Sequence, residues 1–176
     1  MNVTVFGGAS PTPDQAEYQE AMRLGRLLAQ SGHTILTGGY TGTMEAVSRG
    51  AVEAGGHTIG VTCEEIERWR FRLANPWVQE EWKRTTLSDR LTSLMDSAEA
   101  MIALPGGPGT LTEISLAWNR LLVASLTPRP LILIGDGWRL LFETFFHSQE
   151  VYIRPTARSL LTFVNTIDEA VDRLVK

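Results

Sequence analysis

Three glycine-rich turns carry the residues best suited to chemistry: Gly7-Gly8-Ala9-Ser10, Gly38-Gly39-Tyr40-Thr41-Gly42-Thr43 and Pro105-Gly106-Gly107-Pro108-Gly109-Thr110. Glycine lets backbone approach a ligand closely, and free N–H groups of Gly107, Gly109 and Thr110 at a helix start could cradle a phosphate. No turn has the G-x-G-x-x-G spacing of a dinucleotide site, because the sixth position counted from Gly107 is Thr112, and none ends in the Lys-Ser/Thr pair of a phosphate loop. Glu113 is open to two readings. Thr110-Leu111-Thr112-Glu113 has the spacing of a capping box, as does Thr166-Ile167-Asp168-Glu169, where nothing suggests chemistry. Unlike Glu169, however, Glu113 follows a Pro-Gly-Gly turn. Ser10, Thr41 and Thr43 are candidate ligand hydroxyls that could equally satisfy the backbone of their own turns. Glu45 could bind ribose hydroxyls or cap the helix it opens.

These turns need elements to hold them. Val3 to Phe6, Thr34 to Thr37, His57 to Thr62, Ala100 to Leu104, Leu131 to Ile134 and Leu160 to Val164 are short apolar runs that read as strands. The stretch Asp14 to Ser31 places Ala21, Leu24 and Leu28 on one face, and similar helical patterns follow at about 43–54, 86–98, 111–124, 138–148 and 167–175. Strict alternation with continuous apolar strands predicts an α/β fold, a Rossmann-like three-layer sandwich with a mostly parallel sheet. Ligands of such sheets bind beyond the carboxyl ends of the strands, where all three glycine turns fall. Residues 63 to 84 break the rhythm by mixing Trp69, Phe71, Trp77 and Trp82 with Arg68, Arg70, Arg72 and Arg84. Interleaved arginines and aromatics could meet single-stranded nucleic acid, but Glu64, Glu65, Glu67, Glu80 and Glu81 offset them. The segment is then a loop and helix that cover the active site or pack against a second subunit.

Composition narrows the classes further. The chain of 176 residues, 43% hydrophobic and 20% charged, fits one domain spanning 1–176 with a core of its own. A net charge of -4 disfavours a surface built to neutralise nucleic-acid phosphates. Its apolar runs stop at four or five residues, far short of the roughly 20 that span a bilayer, and no export signal is visible, so no membrane contact and a cytoplasmic location are expected. The lone Cys63 and the scattered His33, His57 and His147 form no zinc spacing, and Cys63 reads as a buried, inert residue. A pyridoxal phosphate enzyme needs a pocketed lysine, yet the lysines are Lys83, in a charged stretch, and the terminal Lys176. No cofactor is expected.

Pro105-Gly106-Gly107-Pro108-Gly109-Thr110-Leu111-Thr112-Glu113 resembles the P-G-G-x-G-T-x-x-E signature of the Lonely Guy (LOG) family, cytokinin riboside 5′-monophosphate phosphoribohydrolases often mislabelled lysine decarboxylases. Val5-Phe6-Gly7-Gly8-Ala9-Ser10 is similar to that family's first strand and turn. Gly38 to Ala46, followed by Arg49-Gly50-Ala51, is similar to its second glycine motif, with Tyr40 in place of the third glycine. Arg90 occupies the place of the family's catalytic arginine, although Leu91 and Ser88 stand where lysine and histidine are usual. The resemblance implies a homodimer that hydrolyses the N-glycosidic bond of AMP or N6-modified AMP, with Arg90 and Glu113 catalytic and the glycine turns holding the nucleotide. Proteins of the same fold and signature also serve as molybdenum-cofactor carriers, so a non-hydrolytic binding protein or nucleotide sensor is the alternative. The chemistry is coherent: a carboxylate beside C1′ stabilises the positive charge that builds on ribose and can orient the attacking water. A place in the first helical turn would favour Glu113 as the anion. Arg90 could grip phosphate or ribose oxygens, or stabilise the departing base, and its plainer reading is a surface arginine on a helix.

Overall fold

The structure, a computed structural model, describes residues 1–70 and 73–174, without the side chain of Arg70. Phe71, Arg72, Lys176 and the expected helix end at 175 lie outside the described residues. Along the chain run β1 (Asn2–Phe6), α1 (Ala16–Gln30), β2 (Thr34–Thr37), α2 (Thr43–Glu53), β3 (Thr58–Cys63), α3 (Glu64–Arg70), β4 (Glu80–Arg84) and α4 (Leu87–Asp96). There follow β5 (Ala100–Ala103), α5 (Pro108–Leu122), β6 (Leu131–Ile134), α6 (Asp136–Ser148), α7 (Pro155–Arg158), β7 (Thr162–Val164) and α8 (Ile167–Asp172). All seven strands form one sheet in the order β4-β3-β2-β1-β5-β6-β7, and every neighbouring pair is parallel.

Strand alternation splits the core into two apolar layers. Val3, Val5, Ile35 and Ile102 meet Leu24 and Leu28 of α1, Val47 of α2 and Ala170 of α8 on one face. Phe6, Leu36, Val61 and Met101 meet Leu94 of α4, Ile114 of α5 and Phe142 of α6 on the other. This is the expected three-layer α/β sandwich. Thr4, fully buried in β1, is tolerated because its hydroxyl donates to the Leu94 carbonyl at 2.7 Å.

Residues 80–84, expected within a loop-and-helix segment, instead form the edge strand β4 against β3. Periodicity misses this strand because an edge strand needs little apolar surface, and the charges of Glu80, Glu81, Lys83 and Arg84 blunt the free edge against further pairing. The Thr62 hydroxyl donates to Glu81 at 2.6 Å and fastens β4 to its neighbour. From β1 the chain steps outward through β2, β3 and β4, then returns to β5 on the other side of β1. The sheet therefore changes direction between β1 and β5, and a crevice opens beyond the carboxyl ends of those two strands.

Candidate active site

The first and third glycine turns meet at this switch point. Gly8 donates its N–H to the Pro105 carbonyl at 3.2 Å, and the Gly8 carbonyl accepts from both the N–H and the hydroxyl of Thr43, at 2.9 and 3.1 Å. Thr43 is thus a structural hydroxyl that locks the second turn to the first. Gly42, with φ +75°, lies so close that a Cβ there would fall 2.4 Å from the Gly8 carbonyl oxygen. Asn75, buried and not anticipated from the sequence, holds the second turn from behind. Its Nδ2 donates to the carbonyls of Gly39 and Tyr40 at 3.0 and 2.9 Å, and its backbone N–H donates to Gly39 at 2.8 Å.

The capping-box reading of Thr110 and Glu113 is corrected by the helix itself. Helix α5 begins at Pro108, with Gly107 as N-cap and no side-chain cap, because proline's fixed φ suits the first helical position. Thr110 therefore sits inside the first turn, 3% exposed, packed so tightly that a Cβ on Gly106 would lie 2.2 Å from its Oγ1. Glu113 falls in the second turn, beyond the reach of the helix start. By contrast, Thr166 accepts from Glu169 N–H at 3.2 Å, and Glu169 accepts from Asn165 N–H at 2.9 Å, so the second box does cap α8.

Arg90 is buried, not a surface arginine. Thr86 caps α4 by accepting from the Asp89 N–H, which places Arg90 one turn later on the face turned toward β3. Its Nε donates to the Val61 carbonyl at 2.7 Å. Its Nη1 lies 3.5 Å from Glu113 Oε1, and its Cζ stands 5.6 Å from the Tyr40 ring centroid. Gly38 makes room for the guanidinium, since a Cβ there would come 1.8 Å from Nη2. Arg90 is 5% exposed and Glu113 8% exposed. Burial pushes the Glu113 carboxyl up to about 7, and the Arg90 charge opposes that rise without cancelling it. The helix dipole was expected to hold Glu113 as an anion. Loss of water outweighs it, because the side chain stands past the first turn.

The pair lies in a cleft of about 550 Å³, lined also by Gly8, Ser10, Gly107, Gly109 and Thr110 among the expected ligand residues. Among the described residues, apart from chain neighbours and the helix's own backbone, no atom lies within 4 Å of where a Cβ would stand on Gly107 or Gly109, so both border open space. Thr41, Gly42 and Glu45 line a neighbouring cleft of about 600 Å³ that shares Ala9 and Ser10 with the first. There Glu45 accepts from the Tyr18 hydroxyl at 3.2 Å. The Thr41 hydroxyl donates to the Ala9 carbonyl at 3.2 Å. Gly38 and Gly39 are buried and line neither cleft, and Pro105 and Gly106 are exposed residues of the third turn that also line neither. Sequence reasoning missed the apolar wall made by Tyr40, Met44, Ile66, Trp69, Leu87 and Leu91. Its one visible signal was the aromatic segment after Cys63, expected to cover the site, whose helix α3 supplies Ile66 and Trp69. Cys63 itself is fully buried at the end of β3, and Lys83 is paired with Glu67 at 2.6 Å.

An ion pair buried at the switch point of a parallel sheet, faced by glycine turns, defines a ligand-binding α/β protein of the Rossmann-like type. The chain belongs to the SLOG cluster4 family, whose model matches residues 1–130, and it is LOG-type in its wider similarity. It is 31% identical over 177 residues to the cytokinin riboside 5'-monophosphate phosphoribohydrolase of Mycobacterium tuberculosis, covering 96% of this chain and 90% of that one. It is 30% identical to the enzyme of the same name from Rhodococcoides fascians, over 97% of this chain and 87% of the other. Among solved structures, the molybdenum cofactor binding protein of Rippkaea orientalis superposes with a TM-score of 0.76 at 26% identity, covering 99% of this chain and 97% of that one.

Proposed function

We propose that the protein is a nucleotide 5′-monophosphate phosphoribohydrolase that cleaves the N-glycosidic bond of AMP or an N6-modified AMP, releasing free base and ribose 5-phosphate. The observation that carries this reading is the buried Arg90–Glu113 pair, 3.5 Å apart and lining the same cleft as the Gly107–Gly109 turn. In this reading the phosphate rests on backbone N–H groups at the start of α5, where the helix dipole favours an anion. The apolar wall of Met44, Ile66 and Trp69 faces the base. As the C1′–N bond lengthens, Glu113 stabilises the cationic ribose; water adds to C1′ and its proton passes to the carboxylate. A carboxyl poised near pH 7 can then return that proton to the base nitrogen, which departs with the bonding electron pair. Arg90 stabilises the negative charge gathering on the base.

The superposition on a molybdenum cofactor binding protein supports a second reading, a carrier that holds an intact nucleotide or cofactor without hydrolysis. Incubation with AMP and N6-modified analogues, followed by chromatographic separation of free base, distinguishes the two. The hydrolase releases base and ribose 5-phosphate in equal amounts, whereas the carrier retains its ligand unchanged. A cytoplasmic homodimer is part of the proposal; no helix among the described residues is long and apolar enough to cross a membrane.

A further inference from the structure

Tyr40 stands where the resemblance has glycine, and its side chain makes contacts that a glycine could not make. Its hydroxyl accepts from the Cys63 N–H at 2.8 Å and donates to the Cys63 carbonyl at 3.1 Å, so the ring is fixed to the end of β3 at its far tip. Its own carbonyl accepts from buried Asn75 at 2.9 Å, which fixes the near end. A ring held at both ends and 3% exposed is a rigid surface, and the Arg90 guanidinium stands over it with Cζ 5.6 Å from the centroid. Gly38, lacking a side chain, admits the guanidinium, since a Cβ there would lie 1.8 Å from Nη2.

We propose that Tyr40 is a positioning residue that clamps the Arg90 guanidinium in line with Glu113. The face of an aromatic ring attracts a cation, and more strongly where water is excluded. The Nε–H bond to Val61 holds the guanidinium at its inner nitrogen, while Nη1 and Nη2 can still exchange places by slow rotation about the partly double Nε–Cζ bond, which would break the contact with Glu113. The Tyr40 ring removes that freedom and keeps Nη1 directed at Glu113. The site therefore gains preorganisation from a side chain that acts on Arg90 through its ring face.

The test is nitrogen NMR of the Arg90 side chain, which reads rotation about Nε–Cζ directly, in the parent, Tyr40→Phe and Tyr40→Leu. Rotation is expected to quicken several-fold in Tyr40→Phe, whose ring loses its anchor at Cys63, and further in Tyr40→Leu, which has no ring. If Tyr40 only fills space, both variants melt at lower temperature while Arg90 rotates at the parent rate, and the proposal is overturned. Should Tyr40→Leu fail to fold, Tyr40→Phe alone decides in the same way. A kinetic arm rests on the hydrolase reading: Tyr40→Leu lowers kcat by about tenfold or more with KM little changed, and Tyr40→Phe recovers much of the loss. The rotation measurement stands whether or not base is released, so failure of the clamp and failure of the hydrolase reading are separate results.

Discussion

At the residue scale, the decisive feature is a carboxyl group raised to about 7 from an ordinary 4.5 by burial beside a single guanidinium. Between those two values the folded chain keeps a proton on Glu113 that the unfolded chain has released. Stability contributed by this group is therefore complete below pH 4.5, declines as pH rises, and is lost above about 7. The span corresponds to roughly 3 kcal/mol. Denaturation of the parent should show this decline from pH 5 to 8, and Glu113→Gln, which cannot titrate, should show a flatter profile; equal slopes would contradict the raised carboxyl. The sequence made both partners legible through the nine-residue signature and the place of Arg90. It did not reveal their burial or their contact, because neither spacing along the chain nor residue type reports how much water remains around a side chain.

At the element scale, the same reading succeeded and failed for identifiable reasons. Buried strands such as Leu131–Ile134 were legible to the residue because both faces are apolar, whereas β4 was hidden by the charges that protect a free edge. One of two capping boxes was real: Thr166 caps α8, but Pro108 starts α5 early and carries Thr110 inside the helix. Helix contacts left a further trace that periodicity overlooks. Gly25 and Gly50 interrupt α1 and α2 where alanine would be the better helix former, because a Cβ on Gly50 would lie 1.8 Å from the Met22 carbonyl oxygen and one on Gly25 2.0 Å from that of Val47. Gly50→Ala should therefore destabilise the protein by roughly 1–3 kcal/mol despite its better helix propensity, as overpacking does. A higher denaturation midpoint in the variant would refute the close contact.

At the scale of the whole molecule, the order of strands places the site: β1 and β5 part at the switch point, and all three glycine turns converge there although 94 residues lie between the first and the third. The opposite requirement, a place for apolar surface that no element covers, is met along α5 and α6. One apolar stretch there runs from Leu116 to Leu126. Leu121 and Leu126 of that stretch are buried in the core, while Leu122 and Val123 are exposed, as are Leu140, Leu141 and Phe145 of α6. Leu122, Leu141 and Phe145 border a groove of about 700 Å³. We propose that this face forms the homodimer, and light scattering should give twice the 19.5 kDa chain mass, with Phe145→Asp shifting the population to monomer; a parent that is monomeric at micromolar concentration counts against it. In the proposed reading, activity rests on the charge of Glu113, so the most direct measurement is the rate of base release from AMP by Glu113→Gln beside the parent and Glu169→Gln. The account predicts a loss of a hundredfold or more in Glu113→Gln, about 3 kcal/mol of transition-state stabilisation, and no loss in Glu169→Gln, whose box serves only to cap. Base released by Glu113→Gln at the parent rate would contradict it.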